Sequence, residues 1–433
     1  MAGQLILGLT ILVGIHELGH MLTAKWFGMR VEKYAIGFPP KVVSKQVGET
    51  EYMIGMIPLG GFVKISGMVD ESLDTAMLNQ EPQPWEFRAK PAWQRLIVML
   101  GGIIFNIITG IVIFAGLTYY YGESYLLAKD VKYGISTNEV GRSMGFQEGD
   151  KIVGINGKPL VEFQDVYSPE VLLGRNSYYT VDRNGAEVKI PVPADLMDKL
   201  ADADKESGFI VAREPFKVAK VQPNTAAASI GLESGDKITQ LGNQPIQFFD
   251  QLQKALRDNA GKTIAVQIDR NGQIIHKKVT VEENGTLGFN PEPLLPRATR
   301  HYGLLESVPA GAEKAYSVIT SQLRGFGKIF SGEASASKSI GGPLMMAQAF
   351  GGKFSWINFW TITAVLSMVL AFMNLLPIPA LDGGHVMFLT YEIISGRKPS
   401  DKFLENAQKV GMVLLLGLMA FAIFNDFFKL LFK

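Results

Sequence analysis

Four stretches of the chain are apolar for long enough to cross a bilayer, which takes roughly 20 mostly apolar residues. They run from about Gln4 to Phe27, Leu96 to Tyr121, Ile357 to Leu376 and Val410 to Phe428. Each predicts a membrane-spanning helix, the last interrupted late by Asn425 and Asp426. Trp26, Trp93, Trp356, Trp360 and Tyr119 to Tyr121 fall near the span ends, where aromatic belts form. Ahead of the third span, Leu304, Val308, Ala312, Tyr316, Ile319 and Leu323 keep helical spacing. That stripe predicts an amphipathic helix lying on the outer membrane surface. "IGGPLMMAQ", Ile340 to Gln348, predicts a turn followed by a short apolar helix.

Basic residues near the span ends set the orientation. Lys25, Arg30 and Lys33 follow the first span, and Arg88, Lys90 and Arg95 precede the second. The stretch from Gly28 to Arg95 is therefore expected on the cytoplasmic side, with both termini and the long middle, about Gly122 to Gly352, outside. Arg397, Lys398 and Lys402, between the third and fourth spans, also fall inside.

The middle contains a repeat. "GFQEGDKIVGINGKPL" from Gly145 aligns without gaps to "GLESGDKITQLGNQPI" from Gly231, and "VDRNG" at Val181 answers "IDRNG" at Ile268. Asn-Gly between alternating apolar residues predicts a tight hairpin in each copy. Both copies resemble PDZ domains, which implies that they bind extended peptide tails by adding a strand to a sheet edge. The alternative is a pair of spacers that filter access by size.

Composition narrows the chemistry. Charged residues are 19% of the 433 and apolar ones 47%, as suits a part-membrane, part-soluble protein. A formal charge of +1 gives no reason to expect a nucleic-acid partner. With no cysteine, any metal must be held by Asp, Glu or the five histidines, His16, His20, His276, His301 and His385.

Two of those lie inside the first span. In "GIHELGHMLTAKW", Gly14 to Trp26, His16 and His20 are four apart and project from one helix face, with Glu17 beside them. This His-Glu-x-x-His spacing suits two ligands of one zinc ion and a general base. Ionisable groups inside a span cost several kcal/mol and are seldom kept without function. From Gln4 to His16 is about 18 Å of helix at 1.5 Å per residue, which puts the motif in the cytoplasmic half. A catalytic zinc takes three protein ligands. The end of the third span, "NLLPIPALDGGH", offers Asp382 or His385 on backbone broken by Pro377, Pro379, Gly383 and Gly384.

His-Glu-x-x-His in a first span with Asn-x-x-Pro-x-Pro-x-x-Asp-Gly in a later one resembles the site-2 protease family of intramembrane zinc metalloproteases. Tandem PDZ-like domains between the second and third spans extend the resemblance over nearly the whole chain. It implies that His16, His20 and Asp382 bind one Zn2+ per chain, with Glu17 as catalytic base and Asn374 binding substrate. It also likens Gly37 to Pro40 and Glu51 to Ile65 to a cytoplasmic membrane-reentrant β-hairpin, spanning about 28–70. There Tyr52, Met53, Ile54, Gly55, Met56 and Ile57 would form the edge strand that receives an unwound substrate. The family's Gly-Pro-x-x-Asn motif reads "GGIIFN" here, keeping Gly102 and Asn106 without the proline.

The expected fold is thus a polytopic α-helical membrane protein with four transmembrane helices, this hairpin and two tandem PDZ-like β-rich domains. Its parts are 1–121 (two spans and hairpin), 122–212 and 213–295 (PDZ-like), 296–352 (amphipathic linker helices) and 353–433 (two spans). The implied setting is the bacterial inner membrane. The implied substrates are single-span membrane proteins such as an anti-sigma factor, and remnant signal peptides. A catalytically silent membrane scaffold is the other reading, which retention of both Glu17 and Asp382 disfavours.

Overall fold

The computed structural model describes residues 1–68, 81–202, 208–333, 335, 341–351 and 354–431. Residues 69–70 of the expected hairpin, Ile340 and 352–353 lie outside them. Two compact units are present, Met1–Gly122 with His301–Lys433, and Glu123–Arg300.

The first unit comprises α1 (Ala2–Trp26), β1 (Val31–Val47), β2 (Thr50–Ile65), α2 (Ala92–Tyr121), α3 (Leu304–Phe330), α4 (Pro343–Ala349), α5 (Trp356–Leu375), α6 (Asp382–Ser395) and α7 (Asp401–Leu431). Among the described residues, four helices are long and apolar enough to cross a membrane: α1, α2, α5 and residues Lys402–Phe428 of α7. Small residues let them meet closely, since apolar faces gain nothing from leaving lipid. A Cβ on Gly101 of α2 would lie 2.7 Å from the Gly19 carbonyl oxygen of α1, so the two backbones touch. A Cβ on Gly110 would lie 2.5 Å from Met368 Sδ of α5, and Ser367 Oγ donates to the Asn106 carbonyl at 2.7 Å.

The placement of α3 differs from the surface helix expected. It packs lengthwise along α2 and α5. Ser307, Gly311 and Ala315 are buried at four-residue intervals, and a Cβ on Gly311 would come 2.6 Å from the Ala115 nitrogen. Lys314 Nζ donates to Thr118 Oγ1 at 2.8 Å, and Phe326 packs against Phe372 with ring centroids 5.7 Å apart and the rings tilted by 42°. Of the stripe picked out above, Leu304, Val308, Tyr316 and Leu323 are exposed. Small residues decide which face docks on a helix, and the large apolar residues are left facing outward, where lipid would cover them.

The polar interruption of the last span also has a structural use. Asp426 accepts from the backbone N–H groups of Gly342 and Leu344, at 3.0 and 2.8 Å, at the start of α4. A carboxylate there satisfies orphan amides and meets the positive end of the helix.

Strands β1 and β2 interleave. Ile36 and Val43 both pair with Ile54, Ala35 and Ser44 both with Met53, and Tyr34 and Lys45 both with Tyr52. Tyr34, Ala35 and Ile36 also face Val63, Phe62 and Gly61. Tyr52, Met53 and Ile54 are therefore flanked on both sides by β1 and are not the edge expected from the sequence, while Gly55 pairs with Lys41 and Ile57 with Phe38. The edges are 41–47 and 61–65. The doubling-back of β1 around Pro39-Pro40 causes this, because it lays a second run of β1 against the side of β2 that would otherwise be open.

The second unit carries two sheets of one design. The first copy has β3 (Lys151–Ile155), β4 (Lys158–Pro159), β5 (Tyr178–Arg183) and β6 (Ala186–Pro191) in the order β4-β3-β5-β6. The second has β7 (Lys237–Leu241), β8 (Gln244–Pro245), β9 (Thr263–Arg270) and β10 (Gln273–Thr280) in the order β8-β7-β9-β10. Asn184-Gly185 and Asn271-Gly272 both take the positive φ of a primed hairpin turn, 54° and 86° in one copy and 54° and 87° in the other. The shared Asp and Arg meet as well. Arg183 binds both oxygens of Asp150 at 2.8 and 2.7 Å, and Arg270 binds both of Asp236 at 2.8 Å.

The copies differ around Tyr167. The offset of the first aligned run carries Tyr167 to Gln253, and that of the Asn-Gly hairpins carries it to Lys254. The Tyr167 hydroxyl donates to the Ile210 carbonyl, and burial pushes its pKa up to about 12, so it stays a donor. Beside Gln253 lies a cavity of about 260 Å3, lined by Phe249, Leu252, Leu256, Leu287 and Phe289 among others.

Candidate metal centre

α1 brings His16 and His20 to one face, their rings 4.7 Å apart and nearly perpendicular. Both are buried. Asp382 arrives from the other end of the unit on a broken segment. The chain leaves α5 after Leu375, passes Pro377 and Pro379, and takes a left-handed turn at Ala380, φ 77°. For a non-glycine residue that conformation costs on the order of 1 kcal/mol. The glycines that follow are needed for packing, since a Cβ on Gly384 would sit 2.7 Å from the Ile378 carbonyl oxygen. Asp382 is then the first residue of α6, with Leu381 as the cap.

The three side chains converge. His16 Nε2 lies 3.0 Å and His20 Nε2 3.4 Å from Asp382 Oδ2, and the two Nε2 atoms are 3.2 Å apart. A tetrahedral zinc with bonds of about 2.0–2.2 Å keeps its ligand atoms roughly 3.3–3.6 Å apart. The cluster would open by a few tenths of an ångström to hold one. Asp382 Oδ2 is buried without a hydrogen-bond donor, an orphan that a cation would satisfy. Among the described residues these three form the cluster able to hold a metal, with ligand atoms within 4.8 Å, and His385 is not part of it.

The surroundings fix the rings. His20 Nδ1 is 2.8 Å from the Val98 carbonyl oxygen of α2, which leaves Nε2 free for a metal. His16 Nδ1 faces Asn106 Nδ2 at 3.3 Å, and its Nε2 is 3.2 Å from Asn374 Nδ2 near the end of α5. A Cβ on Gly102 would stand 2.5 Å from both His16 Cε1 and His20 Nε2, so the second span passes the imidazoles at a bare backbone. Glu17 lies against β2, its Cγ 3.5 Å from where a Gly61 Cβ would be. Buried Arg95 pairs with Glu392 at 2.5 Å and holds α6 to the start of α2.

Sequence reasoning placed His16, Glu17, His20, Asn374 and Asp382, and the structure brings them together. It missed Val98, whose carbonyl carries no side-chain signal, and the Arg95–Glu392 pair. Tyr52 and its neighbours sit away from the edge nearest Glu17, which is Gly61–Lys64.

His16, Glu17 and His20 thus lie in a helix apolar enough to span a membrane, and Asp382 of α6 meets the two imidazoles, a donor set that suits a metallopeptidase. The chain belongs to peptidase family M50, the site-2 proteases, whose sequence profile matches residues 4–418. It is similar to the regulator of sigma E protease of Haemophilus influenzae, with 30% identity covering 99% of this chain and 98% of that one. A putative zinc metalloprotease of Neisseria meningitidis is 29% identical, and the regulator of sigma-E protease of Escherichia coli 28%, each over 98% of both chains. The protein is a zinc-dependent metalloprotease.

Proposed function

We propose that the enzyme cuts single-span membrane proteins within the bilayer, with His16, His20 and Asp382 holding one zinc and Glu17 as the base. The observation that carries this is the convergence of two Nε2 atoms on the orphaned Asp382 Oδ2. Zinc bound there supplies a Lewis acid that polarises the scissile carbonyl and activates water. Glu17 takes the proton that the attacking water loses and returns it to the leaving nitrogen. Asn374 Nδ2, beside the cluster, holds the substrate backbone by its carbonyl.

A helical substrate hides its peptide bonds and must unwind to be cut. The edge at Gly61–Lys64 is the strand that would receive it, because it runs past Glu17 and pairs with β1 on one side only. The names of the relatives support an anti-sigma factor as one substrate, in a bacterial inner membrane; remnant signal peptides fit the same site. Residues 122–212 and 213–295 act as PDZ-like domains on the periplasmic side, restricting access and taking extended peptide tails. The cavity beside Gln253 supports the second copy as the one that takes them.

Purified protein should contain about one zinc per chain, removable by chelator and missing from His20→Ala. Wild-type protein without zinc, or His20→Ala with as much, sinks the ligand assignment. Proteomics of membranes carrying wild type or Glu17→Gln should reveal substrates that accumulate in the variant. General-base losses are about 10²–10⁴-fold, so a Glu17→Gln enzyme at wild-type rate removes Glu17 from its role.

A further inference from the structure

The two histidines solve one problem in different ways. A neutral imidazole that binds a metal through Nε2 carries its proton on Nδ1, and that proton needs an acceptor. His20 has a fixed one, the Val98 carbonyl. His16 has only Asn106, from the same helix, 1% exposed, with Nδ2 turned toward the ring and Oδ1 buried without a partner.

We propose that Asn106 is the positioning residue for His16, and that its amide turns over when the ring binds zinc, so that Oδ1 accepts from His16 Nδ1–H. The arrangement described here suits a metal-free ring. Asn106 Nδ2, a donor, faces His16 Nδ1 at 3.3 Å, which matches a ring with no proton on Nδ1, and Nε2 lies 3.0 Å from Asp382 Oδ2. Once Nε2 is given to a metal, the proton moves to Nδ1 and two donors would face each other. Oxygen and nitrogen of an amide are nearly equal in size, so a half-turn about χ2 replaces that clash with a hydrogen bond. The turn leaves Nδ2 where Oδ1 stands now, so one polar atom stays unpaired either way, but the donor–donor contact is gone. Ser367 Oγ bonds the Asn106 backbone carbonyl, and that anchor does not change with the amide. A carboxylate or carbonyl behind a ligating histidine commonly fixes its tautomer, and losing one weakens metal binding about 10- to 100-fold.

This rests on His16 ligating through Nε2, so wild type and His16→Ala serve as controls for that reading. If wild type holds zinc and His16→Ala does not, Asn106 can be judged alone. The experiment is zinc retention by the full chain against a competing chelator. Asn106→Leu keeps the volume and removes the acceptor; Asn106→Asp keeps an acceptor and removes the donor. The expected order is Asp at least as tight as wild type and Leu about 10- to 100-fold weaker. A space-filling role would be filled by leucine, whereas only an acceptor role is rescued by aspartate. Wild-type retention in Asn106→Leu overturns the proposal. If the leucine variant does not accumulate folded, the aspartate variant decides: tenfold weaker binding overturns it and unweakened binding supports it.

Discussion

Gly102→Ala is the smallest change that should take the metal from this protein. The added methyl would stand 2.5 Å from His16 Cε1 and from His20 Nε2. Ordinary contact needs about 3.5–4.0 Å, so something must move by about an ångström. The imidazoles are held from behind, His20 by Val98 and His16 by Asn106. The α2 backbone cannot retreat freely either, because Gly101 touches Gly19 on the same face. Ligand distances in metal sites tolerate about 0.2 Å, so a shift several times larger should weaken zinc binding at least a hundredfold. Overpacking should also cost roughly 1–3 kcal/mol of stability. Gly116→Ala, in the same helix with open space around it, is the matched control and should leave zinc and fold unchanged. Both variants would be purified with wild type, titrated with chelator, heated, and tested on a model span substrate. Wild-type zinc retention in Gly102→Ala would show that the imidazoles are not pinned as described.

Three further outcomes are expected. Asp382→Asn should lose zinc while His385→Ala keeps it, since only Asp382 joins the cluster, and metal analysis of both decides the third ligand. Deleting about Gly122 to Pro291 should leave cleavage intact or extend it to substrates with bulky outer domains; loss of all activity in a folded, zinc-bound deletant refutes the access role. Burial alone would raise the Asp236 pKa, but Arg270 and the Glu233 amide hold it below the usual carboxylate range. Its stabilising effect is thus complete above about pH 4 and fades as pH falls through the lower folded value. Asp236→Asn should make unfolding of the second copy less acid-sensitive, and equal acid sensitivity in calorimetry refutes the pairing.

Local chemistry was what the sequence could convey. The spans are legible because twenty apolar residues have few other uses, and His16, Glu17 and His20 because charge inside a span is costly. Asp382 was legible through the prolines and glycines that break the helix before it. The edge strand was not: Tyr52 to Ile57 alternates as an edge could, but its neighbours are set by how β1 folds back. α3 was misplaced because hydropathy weighs large apolar residues, whereas docking depends on Ser307, Gly311 and Ala315. The Arg95–Glu392 contact, 297 residues apart, has no local signature.

The ends of the second unit are clasped to each other. Glu123, Ser124 and Tyr125 pair with Arg300, Thr299 and Ala298, directly after α2 and just before α3. During synthesis α3 must find α2 across roughly 180 residues of intervening chain, and loop-closure entropy grows with the logarithm of that length. If the intervening unit folds and clasps first, the open loop shrinks to about five residues, and the entropic cost of docking α3 falls by roughly 3 kcal/mol. The chain order suits this, because every strand of that unit is translated before α3. Assembly of the later half of the first unit is thereby coupled to folding of the second, and a destabilised clasp should show first as slow biogenesis, before any defect in catalysis.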